Sequence, residues 1–168
     1  MSSSLKDLLS QNAVSALMKA KESLASKKKP KKKREIKPGD IFYIKANEEN
    51  GITPKDGGLF WPKHFIALGR LADGRLCCCA VFDSEINKDY IHPDLQSFFL
   101  PVKAGEYPFL THNSYIDCLE MKYATPGKLL SGRPEGRLTE EHVNKVIELV
   151  KQSPKHDFVK LSMYGLNK

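Results

Sequence analysis

Short apolar runs separated by polar stretches rich in glycine and proline dominate residues 38–168, and this spacing predicts a mostly β domain. Lys37-Pro38-Gly39-Asp40 makes a turn into Ile41-Phe42-Tyr43-Ile44, a run of β-branched and aromatic residues that reads as the first strand. Asn47 to Gly58 is polar, carries Gly51, Pro54, Gly57 and Gly58, and reads as a long loop of the kind that is often functional. Two apolar runs follow, Phe65 to Leu71 and Leu76 to Phe82, joined by Ala72-Asp73-Gly74-Arg75. Asp-Gly between strand-like runs signals a hairpin, because glycine takes the positive φ of a tight turn. After a polar loop, Asn87 to Asp94, shorter strands are expected at 98–102 and 114–118, and one more at Leu129-Leu130.

Helical periodicity occurs at both ends. Leu5, Leu8, Leu9, Ala13, Ala16, Leu17, Ala20 and Leu24 recur at three- and four-residue intervals, which predicts an amphipathic helix over 5–25 with Ser4 as its N-cap. Such a helix is marginal alone in water, so its apolar stripe packs on the body, dimerises or meets a partner. Near the other end, Thr139 caps an acidic first turn, Val143, Val146, Ile147 and Val150 form an apolar face, and Ser153-Pro154 stops the helix. Five or six short strands and one C-terminal helix describe a small antiparallel barrel.

Charge divides the chain. Lys27, Lys28, Lys29, Lys31, Lys32, Lys33 and Arg34 fill all but one position of an eight-residue run, broken by Pro30. Residues 1–37 hold eleven Lys and Arg against three Asp and Glu, leaving sixteen against seventeen for residues 38–168. The net +7 therefore belongs to the leader. Three parts are expected: a leader helix over 1–26, a basic linker over 27–37, and a nearly neutral domain over 38–168. A dense cationic run releases counterions along phosphates, so attraction to single-stranded RNA or another polyanion begins there. A solvated tether or a nuclear address is its bland alternative.

The four cysteines, three of them consecutive at Cys77-Cys78-Cys79, match neither a disulfide framework nor a metal knuckle. With no apolar leader and no stretch long enough to span a bilayer, a reduced, cytoplasmic protein without cofactor or membrane attachment is expected.

The order of these pieces resembles the PemK/MazF-like endoribonuclease toxins over residues 39 to about 152. The likeness rests on Gly39-Asp40-Ile41, Phe65-Ile66-Ala67-Leu68-Gly69 after a long loop, Ala80-Val81-Phe82-Asp83-Ser84, Asn113-Ser114-Tyr115-Ile116-Asp117-Cys118 and Gly136-Arg137-Leu138-Thr139. It implies an SH3-like antiparallel barrel with a C-terminal helix, metal-independent RNA cleavage, a homodimer and an antitoxin-like protein partner. Where the family carries Gly-x-x-Arg-Pro before its second strand, this chain has Phe60-Trp61-Pro62-Lys63-His64, and lysine lacks the two-pronged guanidinium.

Cleavage of RNA without metal needs a base for the 2′ proton, an acid for the leaving 5′ oxygen and cations on the phosphate. His64 and His112 are the candidate base and acid, Asp117 a substitute for either, Lys63 and Arg70 the candidate cations, and Ser84 and Ser114 hydrogen-bond donors to phosphate. Each has a bland rival: a packed histidine at 64, a turn histidine at 112, a backbone-capping carboxylate at 117. Trp61 is the aromatic expected to be exposed for base stacking, whereas Phe42 and Phe60 are expected in the core. The rival to an RNA-binding barrel is a non-catalytic adaptor of the same fold, and the two differ in whether Lys63, His64, Ser84 and Asp117 share one cleft.

Overall fold

The computed structural model describes residues 34–167. The chain divides into two units, residues 1–35 and 36–168. The leader helix expected over 5–25 and the lysines at 27–33 lie outside the described residues.

Six strands form one antiparallel sheet: β1 (Asp40–Ala46), β2 (Trp61–Arg70), β3 (Cys77–Asp83), β4 (Phe99–Val102), β5 (Ser114–Ala124) and β6 (Arg133–Arg137). Their order across the sheet is β4-β5-β3-β2-β1-β6, so β4 and β6 are its edges. Three helices complete the domain, α1 (Pro126–Ser131), α2 (Glu140–Gln152) and α3 (Phe158–Met163). The antiparallel, mostly β architecture with a helix after it matches the sequence reading. Among the described residues, no helix is long and apolar enough to cross a membrane.

The hairpin at Asp73-Gly74 joins β2 to β3, with Gly74 at φ 75° and the Leu71 amide donating to the Leu76 carbonyl. Thr139 caps α2 through the His142 amide. Two expectations are corrected. Leu129 and Leu130 belong to α1, not to a strand, because Thr125 caps a helix there and Pro126 fits its first turn. The sixth strand is instead Arg-Pro-Glu-Gly-Arg, whose residues carry no apolar alternation; it forms at an edge by pairing with β1, where a proline is tolerated. A third helix, capped by Asp157, also follows the one expected.

Both sheet faces are packed. Ile41, Ile66, Leu68, Cys78 and Ile116 meet Val146 and Val150 of α2 and Leu161 of α3. Phe42, Ile44, Phe65, Cys79 and Val81 meet Leu129 of α1 and Ile52 of the long loop. Fully buried side chains such as Phe65 and Ile66 each contribute roughly 1.5–3 kcal/mol. All four thiols are free and buried, and burial pushes Cys78 up to about 12, which keeps it protonated and unreactive.

A wide bulge shapes the centre of the sheet. Cys79 pairs with Lys122 and Val81 with Asp117, so five steps along β5 face two along β3. The surplus residues turn to the C-terminal segment: Ser153 Oγ donates to the Leu119 carbonyl, and the Met121 amide donates to His156 Nε2 at 2.9 Å. His156 Nδ1 meets the Val150 carbonyl at 2.8 Å, which fixes the neutral tautomer, and burial lowers its pKa. On β2, the Arg70 amide donates to the Tyr164 carbonyl, and a Cβ on Gly69 would stand 2.3 Å from that same oxygen.

Candidate functional site

Successive β2 residues point to opposite faces of the sheet, and this alternation decides where the candidate side chains go. Trp61, Lys63 and Phe65 face the side of the Phe42 cluster; His64 and Ile66 face the helices. The registers Phe65↔Val81 and Val81↔Asp117 carry Asp83 and Asp117 to the same face as Lys63.

On that face Lys63 Nζ pairs with Asp83 Oδ1 at 2.5 Å and also lies 4.5 Å from the Trp61 ring centroid. Lys55 Nζ, from the long loop, sits 4.4 Å from the same ring. Two ammonium groups thus share one indole. Beside it, Phe60 carries Lys128 Nζ at 5.3 Å, and Leu59 is among the most exposed apolar residues. The expectation for this pair of rings is reversed. Trp61 is half-buried against the core because it is the first residue of β2 on the packed face, whereas Phe60, one residue before the strand, is 48% exposed.

Asp117 is buried, and its Oδ1 accepts from the amides of Leu119 at 2.9 Å and Glu120 at 3.4 Å. It caps the bulge. Burial, reinforced by the nearby Asp83 charge and opposed by Lys122 and the two amides, raises its pKa to about 6.

His64 lies on the other face, stacked on Phe109 with centroids 4.3 Å apart and tilted against Tyr43 at 4.6 Å. Its Nε2 is buried without a hydrogen-bond partner and stands 4.0 Å from Glu135 Oε1. Burial lowers its pKa, Glu135 works against that shift, and Arg133 adds to it. Arg133 Nε meets Glu135 Oε1, and the guanidinium lies 4.9 Å from the Tyr43 ring centroid. Behind Phe109, Tyr107 is hydrogen-bonded to His142 Nδ1 at 2.6 Å and accepts from the Thr139 amide, tying the loop after β4 to the start of α2.

The remaining candidates lie apart. Ser84 is exposed directly after β3, next to Asp83. His112 is exposed in the loop between β4 and β5, its Nδ1 3.3 Å from Thr111 Oγ1. Ser114 is buried and donates to the His112 carbonyl. Arg70 is at the far end of β2, roughly 20 Å from Lys63 at the usual rise per residue, beside a pocket of about 130 Å³ lined by Ile36, Lys37, Ala67 and Cys77. Arg34 is exposed.

Lys63 and Asp117 therefore share one face, with Asp83 near both, while His64 is on the opposite face and His112 and Arg70 are remote. Reading the sequence missed Arg133, Glu135, Phe109 and Tyr107 around His64. They come from segments some 40–70 residues away: Arg133 and Glu135 through the pairing of β1 with the unforeseen β6, Tyr107 and Phe109 from the loop between β4 and β5. Among the described residues, no group of His, Cys, Asp and Glu is arranged to hold a metal ion. No protein-family model matches the chain, and no curated protein matches it.

Proposed function

We propose that this chain is a cytoplasmic RNA-binding protein whose antiparallel sheet is a PemK/MazF-like, SH3-like barrel, with the basic arm capturing single-stranded RNA and the Trp61 ledge holding it. The observation that supports this reading is the pair of ammonium groups, Lys55 and Lys63, at 4.4 and 4.5 Å from one indole. A bound strand takes the lysines onto its phosphates and stacks a base on the freed ring, an exchange worth about 1–3 kcal/mol per base. Exposed Phe60 with Lys128 beside it extends the same chemistry by one base. Pairing into a homodimer and docking of an antitoxin-like partner belong to the same proposal.

The test is the affinity of the full chain for a labelled single-stranded RNA as a function of salt. Trp61→Ala weakens binding about tenfold and leaves the salt slope unchanged; glutamines at Lys27 to Lys33 flatten the slope. An unchanged slope after the second substitution would place the electrostatic footprint elsewhere.

Two observations favour the adaptor instead: Lys63 and His64 lie on opposite faces of the sheet, so the four candidate residues share no cleft, and α3 exposes Phe158, Val159 and Met163 together. If RNA binding is absent while substitution of these three by serine abolishes self-association, the adaptor reading replaces the first.

A further inference from the structure

At the end of β2 remote from Trp61, a pocket of about 130 Å³ lies between β2, β3 and the segment that leads into β1. Ala67 and Cys77 are buried in the apolar cluster of this face, and Ile36 packs against the same cluster, so the interior is apolar. Among the described residues that line it, no side chain carries a hydroxyl, an amide or a carboxylate. Two cations stand at its edge, Lys37 and Arg70, both exposed. Neither is paired with a carboxylate among the described residues.

The walls of this pocket are fixed by hydrogen bonds. The Lys37 amide donates to Asp40 Oδ2 at 2.9 Å, Arg137 Nη2 donates to the Pro38 carbonyl at 3.0 Å, and the Gly39 amide donates to the Ala67 carbonyl at 2.7 Å. Arg70 is positioned as firmly. Its amide donates to the Tyr164 carbonyl, and its Cδ would lie 3.7 Å from a Cβ on Gly74, so its stem runs along the hairpin. Its side chain hydrogen-bonds the Cys77 thiol, which opposes the rise in pKa that burial causes there. The guanidinium is thereby kept at the pocket instead of trailing into water.

We infer that this pocket is a binding site for a small organic monocarboxylate, with Arg70 and Lys37 holding the carboxylate at the rim and Ile36, Ala67 and Cys77 enclosing a compact aliphatic or aromatic body. The site goes beyond the RNA reading and does not rest on it. An apolar cavity of roughly 150 Å³ takes one benzene ring, which sets the size of the body. A guanidinium meets a carboxylate through two parallel N–H bonds, and an arginine held in place loses little freedom in doing so. Sugars and nucleosides are disfavoured, because each hydroxyl or ring nitrogen left unpaired by this lining costs about 1–3 kcal/mol. Phosphate is disfavoured for want of donors: Pro38 has no amide hydrogen, and the Gly39 and Arg70 amides are already given to the Ala67 and Tyr164 carbonyls.

The deciding experiment titrates the isotope-labelled full chain with benzoate and, separately, with hexanoate, benzyl alcohol and inorganic phosphate at constant ionic strength, following backbone amide shifts by NMR. Benzoate moves the amides of Lys37, Ala67, Arg70 and Cys77 and saturates with a Kd below about 1 mM, and hexanoate binds within about tenfold of it. Benzyl alcohol, which keeps the ring and lacks the charge, binds at least tenfold more weakly, as does phosphate. Arg70→Gln weakens benzoate about tenfold and Lys37→Gln about threefold. Shifts that do not saturate or that fall elsewhere, benzyl alcohol or phosphate binding as tightly as benzoate, or a folded Arg70→Gln of unchanged affinity each overturn the site. The benzoate and benzyl alcohol arms use wild type alone, so they decide the matter even where a variant does not fold.

Discussion

Lys63 and His64 are adjacent along β2, yet Nζ of the first meets Asp83 on one face while the ring of the second lies on Phe109 on the other. Their side chains are separated by the thickness of the sheet and share no partner. Lys63→Ala and His64→Ala therefore destabilise independently, and the double variant loses the sum of the single losses to within about 0.5 kcal/mol in denaturant unfolding. A coupling of 1 kcal/mol or more would mean that the two sites communicate through the strand.

Asp117 makes stability depend on pH in an unusual direction. The folded carboxyl keeps its proton to about pH 6, whereas the unfolded one ionises near 3.8. Between those values the unfolded state releases its proton and the folded state does not, so this group's contribution is lost as pH rises from about 4 to 6, by on the order of 2–3 kcal/mol. His64 and His156, whose pKa values are lowered, act oppositely and reduce stability as pH falls below 6.5. The difference between wild type and Asp117→Asn isolates the carboxyl, because asparagine keeps an oxygen for the Leu119 and Glu120 amides and cannot ionise. The variant gains stability over wild type at pH 7.5 and the gain disappears at pH 4; equal melting temperatures at both values would show that Asp117 ionises freely in the folded protein.

At the opposite end of β1, Asp40 is buried, with Arg137 Nε at 3.0 Å and the Lys37 amide at 2.9 Å. Arg137 is half-exposed, which weakens the pair, so Arg137→Ala costs about 1–2 kcal/mol. Asp40→Ala also frees the turn before β1 and costs more. Thermal melts of the two variants give that order, and the reverse order would show that the turn holds itself.

Gly69→Ala forces a Cβ against the Tyr164 carbonyl, a backbone atom that cannot rotate aside. The expected loss is about 2–3 kcal/mol or more, with faster hydrogen exchange of the Arg70 amide and of residues 158–166. A stability change under 0.5 kcal/mol would show that the C-terminal segment yields without strain.

The strands that read clearly from the sequence are those whose signal is local. Ile41 to Ile44 and the two runs around Asp73-Gly74 carry β-branched residues and a turn glycine within a few positions, and Thr139, the acidic turn after it and the spacing of Val143, Val146, Ile147 and Val150 announce α2. Arg133–Arg137 is a strand only because β1 offers it hydrogen bonds, and Leu129 enters a helix because Thr125 and Pro126 start one just before it. The alternation that separates Lys63 from His64 was legible once β2 begins at Trp61, four residues earlier than its apolar run suggests. What surrounds His64 was not legible, since Arg133 and Glu135 reach it through the pairing of β6 with β1 and Phe109 from the loop between β4 and β5, contacts that no window of sequence contains.

The surplus backbone of β5 and the Arg70 amide of β2, beside the bare Gly69, both turn their hydrogen-bonding groups to residues 153–166. Until that stretch has left the ribosome, the Met121 and Arg70 amides have no protein acceptor and the sheet is incomplete. Completion of the sheet is thus tied to residues 153–166, and the domain gains its full set of backbone hydrogen bonds only once this stretch has been translated.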